Sequence, residues 1–101
     1  MNLKTLNTFY AEMNEKEQKE FQKWLRGVLK MHETTIFFTK KDGTERKMLC
    51  TLNENTIPSE FAPKNTGKKQ SEDAVSVFDL ENEGWRSFRW DSVKKIEFSI
   101  R

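Results

Sequence analysis

Between Trp85 and Trp90 the chain reads Trp-Arg-Ser-Phe-Arg-Trp, three aromatic rings interleaved with two arginines. These residue types suit one chemistry in particular. Aromatic faces and guanidinium planes stack on bases, and cationic groups hold phosphates. In an extended strand successive side chains point to opposite faces. Arg86, Phe88 and Trp90 therefore share one face, and Trp85, Ser87 and Arg89 share the other. Phe88 with Trp90 makes the better core face, with Arg86 close enough to a strand end to reach solvent. Trp85 and Arg89 then become outward neighbours. They read either as an exposed stacking pair or, for Trp85, as a cover packed between a barrel end and a helix.

More cations lie upstream. Lys40, Lys41, Arg46 and Lys47 flank a predicted hairpin, and Lys64, Lys68 and Lys69 fall in a long polar stretch. One reading is a phosphate-binding rim whose contacts depend on salt. The other is solubilising charge, including lysines that protect strand edges. Asp42, Glu45 and Glu60 dilute the cluster. Residues 34–69 carry seven basic and four acidic side chains, whereas residues 70–101 carry five and seven, so the middle third is the basic part of a chain with net charge +2.

Other chemistries find little support. Cys50 is the single cysteine and His32 the single histidine. No internal disulfide can form, which fits a reducing compartment, and no usual zinc site can be assembled. Lys64-Asn65-Thr66-Gly67-Lys68-Lys69 lacks the spacing of a phosphate-binding P-loop. No nucleophile stands at a spacing that demands a base. The expectation is a non-enzymatic protein without cofactor or metal. No apolar run approaches the roughly 20 residues of a membrane span, and the first residues lack a signal-peptide apolar stretch. A soluble, intracellular protein follows.

The elements that must position these side chains can be read in order. Leu3, Leu6, Phe9 or Tyr10, and Met13 repeat at helical spacing and predict a short first helix. That stripe reads either as a partner-binding or homodimer seam, or as a cap on the rest of the fold. Asn14 with Glu17 forms a capping-box pattern. Beyond it Phe21, Trp24, Leu25, Val28 and Leu29 lie on one face of a second helix ending near Met31. From Thr34 the pattern turns β-branched and aromatic. Asp42-Gly43 between two such runs is a strong hairpin signal, predicting strands over 34–40 and 44–52, with Met48, Cys50 and Leu52 on one face. Both prolines, Pro58 and Pro63, fall in a long loop at about 53–73, with one helical turn near 58–61 and Ile57 and Phe61 pinned to the core. Strands follow over 74–80, 85–90 and 94–100. The predicted class is α+β: a helical extension over 1–32, then a small five-stranded antiparallel β-barrel over 33–101, a closure that removes exposed edges.

Taken together, "DGTERKMLCTLN", "IPSEFAPKNTGKK" and "SVFDLENEGWRSFRWDSVKKIEF" resemble segments of small bacteriophage proteins with SH3-like, Sm-like barrels related to WYL domains. The resemblance covers about residues 34–98. WYL domains carry a strand of the form Arg-x-Phe-Arg-x-Asp-x-Ile/Val, matched here from Arg86 to Val93. It implies that Arg86 and Arg89 belong to a surface associated with nucleic acid or nucleotides, and that Phe88 and Val93 are structural. The Trp-Tyr-Leu triplet and the preceding helix-turn-helix of WYL domains are absent, so a reader of DNA sequence is not expected. The first reading is a phage regulatory or host-takeover protein acting in the cytoplasm of the infected cell. Its ligand would be RNA, single-stranded DNA or a nucleotide, held by Lys40, Lys41, Arg46, Lys68, Lys69, Trp85, Arg86 and Arg89. The alternative is a protein-interaction module, using Leu3, Leu6, Phe9 and Tyr10 against a host enzyme such as RNA polymerase or a defence nuclease. Small barrels of this type also form homo-oligomers.

Overall fold

The capping box at Asn14 starts a long helix. The computed structural model of the chain describes residues 2–61 and 73–100. In it the Asn14 side chain accepts from the Glu17 amide at 2.8 Å, and the Glu17 carboxylate accepts from the Asn14 amide at 3.1 Å. Two of the helix's orphan donors are thereby satisfied, an arrangement whose loss costs about 1 kcal/mol. Helix α1 runs Glu15–Met31 and buries Phe21, Leu25, Val28 and Leu29. Trp24 lies at the margin of the same stripe, 40% exposed, with its ring against Phe21 and Phe98. The helix stops where His32 turns extended. Near that end the Leu29 carbonyl accepts from the Thr51 hydroxyl at 3.0 Å and the Leu52 amide at 2.8 Å. This ties the helix terminus to the sheet.

The strands are β1 (Asn2–Asn7), β2 (Thr34–Thr39), β3 (Glu45–Thr51), β4 (Ala74–Asp79), β5 (Gly84–Arg89) and β6 (Val93–Ile100), with single 3₁₀ turns at Tyr10–Glu12, Ser59–Phe61 and Trp90–Ser92. They form one antiparallel sheet in the order β1-β6-β2-β3-β4-β5. Directly paired residues share a face. Ile96, Ile36 and Met48 form one buried inward row across β6, β2 and β3. Cys50, Val75, Val77 and Phe88 extend the same core, which α1 covers. Strands β3 and β4 share only two paired positions, and beyond them the sheet curls. Phe38 of β2 stacks on Phe88 of β5 at 5.7 Å although two strands separate them in the sheet order. Outside this core, Phe78 is covered by Phe61 and Trp85, forming a small second cluster beneath the start of the long loop.

Two tight turns fix the register. Gly43 adopts a φ of 88°, as the Asp-Gly signal requires, and the Asp42 carboxylate accepts from the amide and hydroxyl of Thr44. At the β4–β5 turn Glu83 takes a φ of 49°.

Three expectations need correction. The residues read as a short first helix form β1 and one 3₁₀ turn instead. The spacing of Leu3 and Leu6 fits a helix, but a helix of so few residues is marginal alone. Pairing with β6, from Asn2↔Ile100 to Asn7↔Lys95, satisfies the same backbone groups in a ladder. The sheet therefore has six strands rather than five. Residues 1–32 are also no separate extension, since β1 is part of the sheet and α1 supplies four core residues. Among the described residues no helix is long and apolar enough to cross a membrane.

Candidate functional site

Strand alternation and the curl of the sheet bring the basic residues to one place. Phe38 follows the inward Ile36 by two residues on β2 and pairs with Arg46 on β3. Across the curl, Arg86 pairs with the buried Val77, so it lies on the inward side of β5, near the strand's end. Between the β2–β3 hairpin and β5 these residues enclose an open pocket of about 290 Å³. Phe38, Met48, Ala74 and Phe88 supply its apolar walls, and Lys40, Lys41, Arg46, Arg86 and Arg89 its cationic rim. Five of the eight ligand-binding residues expected from sequence thus line one pocket.

The five are not equivalent. The Arg89 guanidinium forks onto the Asp91 carboxylate at 3.1 and 3.3 Å. That hydrogen bonding, with the charges of Asp91 and Asp73, holds the guanidinium above its ordinary pKa, and Asp91 offsets part of its charge at the exposed surface. Arg46 lies 3.7 Å from Asp79. Arg86 donates to the backbone carbonyl of Trp85 at 3.1 Å. Among the described residues, Lys40, Lys41 and Arg86 make no ion pair. They are the cations available to an incoming anion.

Asp79 is tied to the pocket through Arg46. It is only 1% exposed and accepts from the Glu81 and Asn82 amides and from the Asn82 side chain, at 2.8–3.0 Å. Burial pushes its carboxyl pKa up, but these hydrogen bonds and the Arg46 charge outweigh burial and hold it below the usual value. A depressed carboxyl stabilises the fold above the unfolded pKa of about 3.9, and that contribution is lost as pH falls through the folded value. Melting curves of the wild type should therefore drop in acid below about pH 4. An Asp79→Asn variant should be less stable at neutral pH by about 1–3 kcal/mol and show a smaller acid drop.

Other expected residues lie elsewhere. Trp85 is half-buried. Its indole N–H donates to the Phe61 carbonyl at 2.7 Å and its ring packs edge-on against Phe78. It holds the loop to the outside of β4–β5 and does not line the pocket. Lys68 and Lys69 lie outside the described residues, as does the Leu3 side chain. Leu6 and Phe9 are 43% and 62% exposed, whereas Tyr10 packs edge-on against Phe21 and accepts from Gln22. Cys50 is buried, and burial pushes its thiol up to about 12, which removes it as a nucleophile. No group of three or more His, Cys, Asp or Glu among the described residues is placed to hold a metal. Phe38, the aromatic wall facing Phe88, was not singled out from sequence. Its alternation with Ile36 was the available signal.

Comparison with known proteins gives a family. The family described as WYL_2, Sm-like SH3 β-barrel fold, matches residues 23–94. An uncharacterized 11.5 kDa protein in the Gp31-cd intergenic region of Enterobacteria phage T4 is 34% identical over 74 residues, covering 71% of this chain and 72% of that protein. No solved structure matches. The family match runs from the second half of α1 through the strands that build the pocket, and the chain belongs to the WYL_2 family of Sm-like SH3 β-barrels.

Proposed function

We propose that this protein binds single-stranded nucleic acid, RNA or DNA, in the pocket between the β2–β3 hairpin and β5, as a non-enzymatic regulatory or host-takeover protein of a bacteriophage. The observation that carries this reading is the convergence of Lys40, Lys41, Arg46, Arg86 and Arg89 around the stacked Phe38 and Phe88. A base needs an apolar, aromatic-walled recess, and its flanking phosphates need uncompensated cations. Lys41 and Arg86 supply the latter, and Lys40, whose charge also acts on Asp42, stands beside them. The pocket's volume, about 290 Å³, lies just below the roughly 300–1,000 Å³ of small-molecule sites, and it is open. That favours one base of a passing strand over an enclosed free nucleotide. The relative in phage T4 supports the phage setting. Titrating fluorescent single-stranded RNA and DNA at two salt concentrations tests the reading. Binding at the lower salt should weaken at the higher.

A second reading, a protein-interaction module acting on a host enzyme, is favoured by the exposed apolar side chains on the opposite elements. Phe9 and Met31 are 62% and 73% exposed, and Trp24 and Met31 line a shallow groove on α1. Nuclease treatment of a host-lysate pull-down separates the two, because a direct protein partner survives it.

A further inference from the structure

We infer that the bound strand continues from this pocket onto a second phosphate-binding groove on the outer face of the sheet, so that the ligand is a polynucleotide spanning both. This rests on the reading above. The outer face carries one row across four strands, Asn7–Lys95–Phe37–Lys47, each directly paired with the next. These four residues, with Phe38, Glu45, Arg46 and Lys94, line a groove of about 390 Å³. Phe38 and Arg46 also line the first pocket, so the two recesses share a wall.

The backbone adds a cation to this row. Phe37 pairs with Lys95 but Phe38 pairs with Val93, which leaves Lys94 as an extra residue in β6. Such a bulge bends a strand and re-aims its side chains. Its carbonyl accepts from the Thr8 amide at 3.0 Å, which ties the bulge to the segment after β1. Lys94 is exposed and lines the groove, where strict alternation would give one lysine instead of two neighbours.

The charges decide what the groove takes. Lys95 sits 4.2 Å from the Phe37 ring centre and 3.7 Å from Glu97, and Lys47 lies 5.8 Å from the same ring. The Phe37 face is thus covered by an ammonium group and is closed to a base. Lys47 and Lys94 are both exposed and make no ion pair among the described residues. Against them stands Glu45 at the groove's edge. Two free cations beside a filled aromatic face suit phosphates and offer no recess for reading bases. The groove therefore extends the footprint without adding sequence preference.

The test compares strand lengths and one variant. Fluorescein-labelled oligothymidylates of about three and about eight nucleotides are titrated into the full chain. Wild type should bind the longer strand at least about tenfold more tightly. In a Lys47→Ala/Lys94→Ala variant, each lost phosphate contact removes about 0.7 from the salt slope. At about 0.1 M salt the longer strand should then weaken about 20-fold, and its slope should fall by about 1.4. The shorter strand, confined to the first pocket, should bind the variant as it binds wild type. Both side chains are exposed, and an unchanged melting curve checks that the variant is folded. Equal affinity of wild type for both lengths, or wild-type affinity of the variant for the longer strand, overturns the second groove and leaves the first pocket standing. Failure of wild type to bind either length overturns both.

Discussion

Replacing Lys41 and Arg86 together by alanine should weaken binding of a short single strand about 20-fold at about 0.1 M salt, with little change in stability. Both side chains line the pocket, and neither makes an ion pair among the described residues. Their charges are thus the ones a phosphate can engage without breaking an internal contact. Two phosphate contacts on a single strand account for a salt slope of about 1.4, which is the source of the 20-fold figure. Both residues are exposed, and exposed substitutions usually change stability by less than about 0.5 kcal/mol. An Arg89→Ala variant provides the contrast. Arg89 is exposed too, but its guanidinium is already forked onto Asp91, so its removal should weaken binding by no more than about threefold. Fluorescence anisotropy on the three proteins distinguishes the cases. A larger loss from Arg89→Ala than from the double variant would mean that the ligand displaces Asp91, and that the assignment of available cations is wrong.

Trp90→Ala should cost about 3–5 kcal/mol, the range for truncating a fully packed aromatic residue. For a domain whose whole stability is about 5–15 kcal/mol, that removes a large share of the margin. Trp90 is 1% exposed and meets Phe21 and Phe88 edge-on, each at 6.3 Å, with the Arg26 guanidinium 5.2 Å from its ring centre. It joins the helix to β5, so its loss opens a cavity between the two layers. Trp90→Phe should be far milder, about 1–2 kcal/mol. Among the described residues the buried indole N–H has no hydrogen-bond partner, so phenylalanine removes an unsatisfied donor along with part of the ring. Trp85→Ala should fall between these, since Trp85 is half-buried and holds a loop in place. Urea denaturation of the three variants checks the order. If Trp90→Ala melts like wild type, the helix does not depend on this contact.

Sequence revealed most where the physics is local. The capping box at Asn14, the Asp-Gly turn at Gly43 and the alternation of Met48 with Cys50 each depend on residues a few positions apart, and each is present. The first strand was hidden because Leu3 and Leu6 satisfy helical spacing equally well. What decides their conformation is β6, more than 85 residues away. The site shows the same division. Arg86 and Lys41 could be named as cations, but only the curl that stacks Phe38 on Phe88 brings them together. The pairing of Arg89 with Asp91, two residues on, was local enough to be legible, although sequence reasoning offers Arg89 only to a ligand. The anchoring of Trp85 was not, because its partners Phe61 and Phe78 come from the distant loop and the neighbouring strand. The bulge at Lys94 depends on pairing with β2 and leaves no mark in composition or spacing.

The salt dependence of wild-type binding to a strand of about four nucleotides tests the central claim most directly. Contacts from Lys40, Lys41 and Arg86 predict a slope of log K against log salt near −2, which is about a 15-fold loss between roughly 50 and 200 mM salt. No binding at the lower concentration, or binding that salt does not alter, would contradict the assignment of this pocket to a nucleic-acid strand.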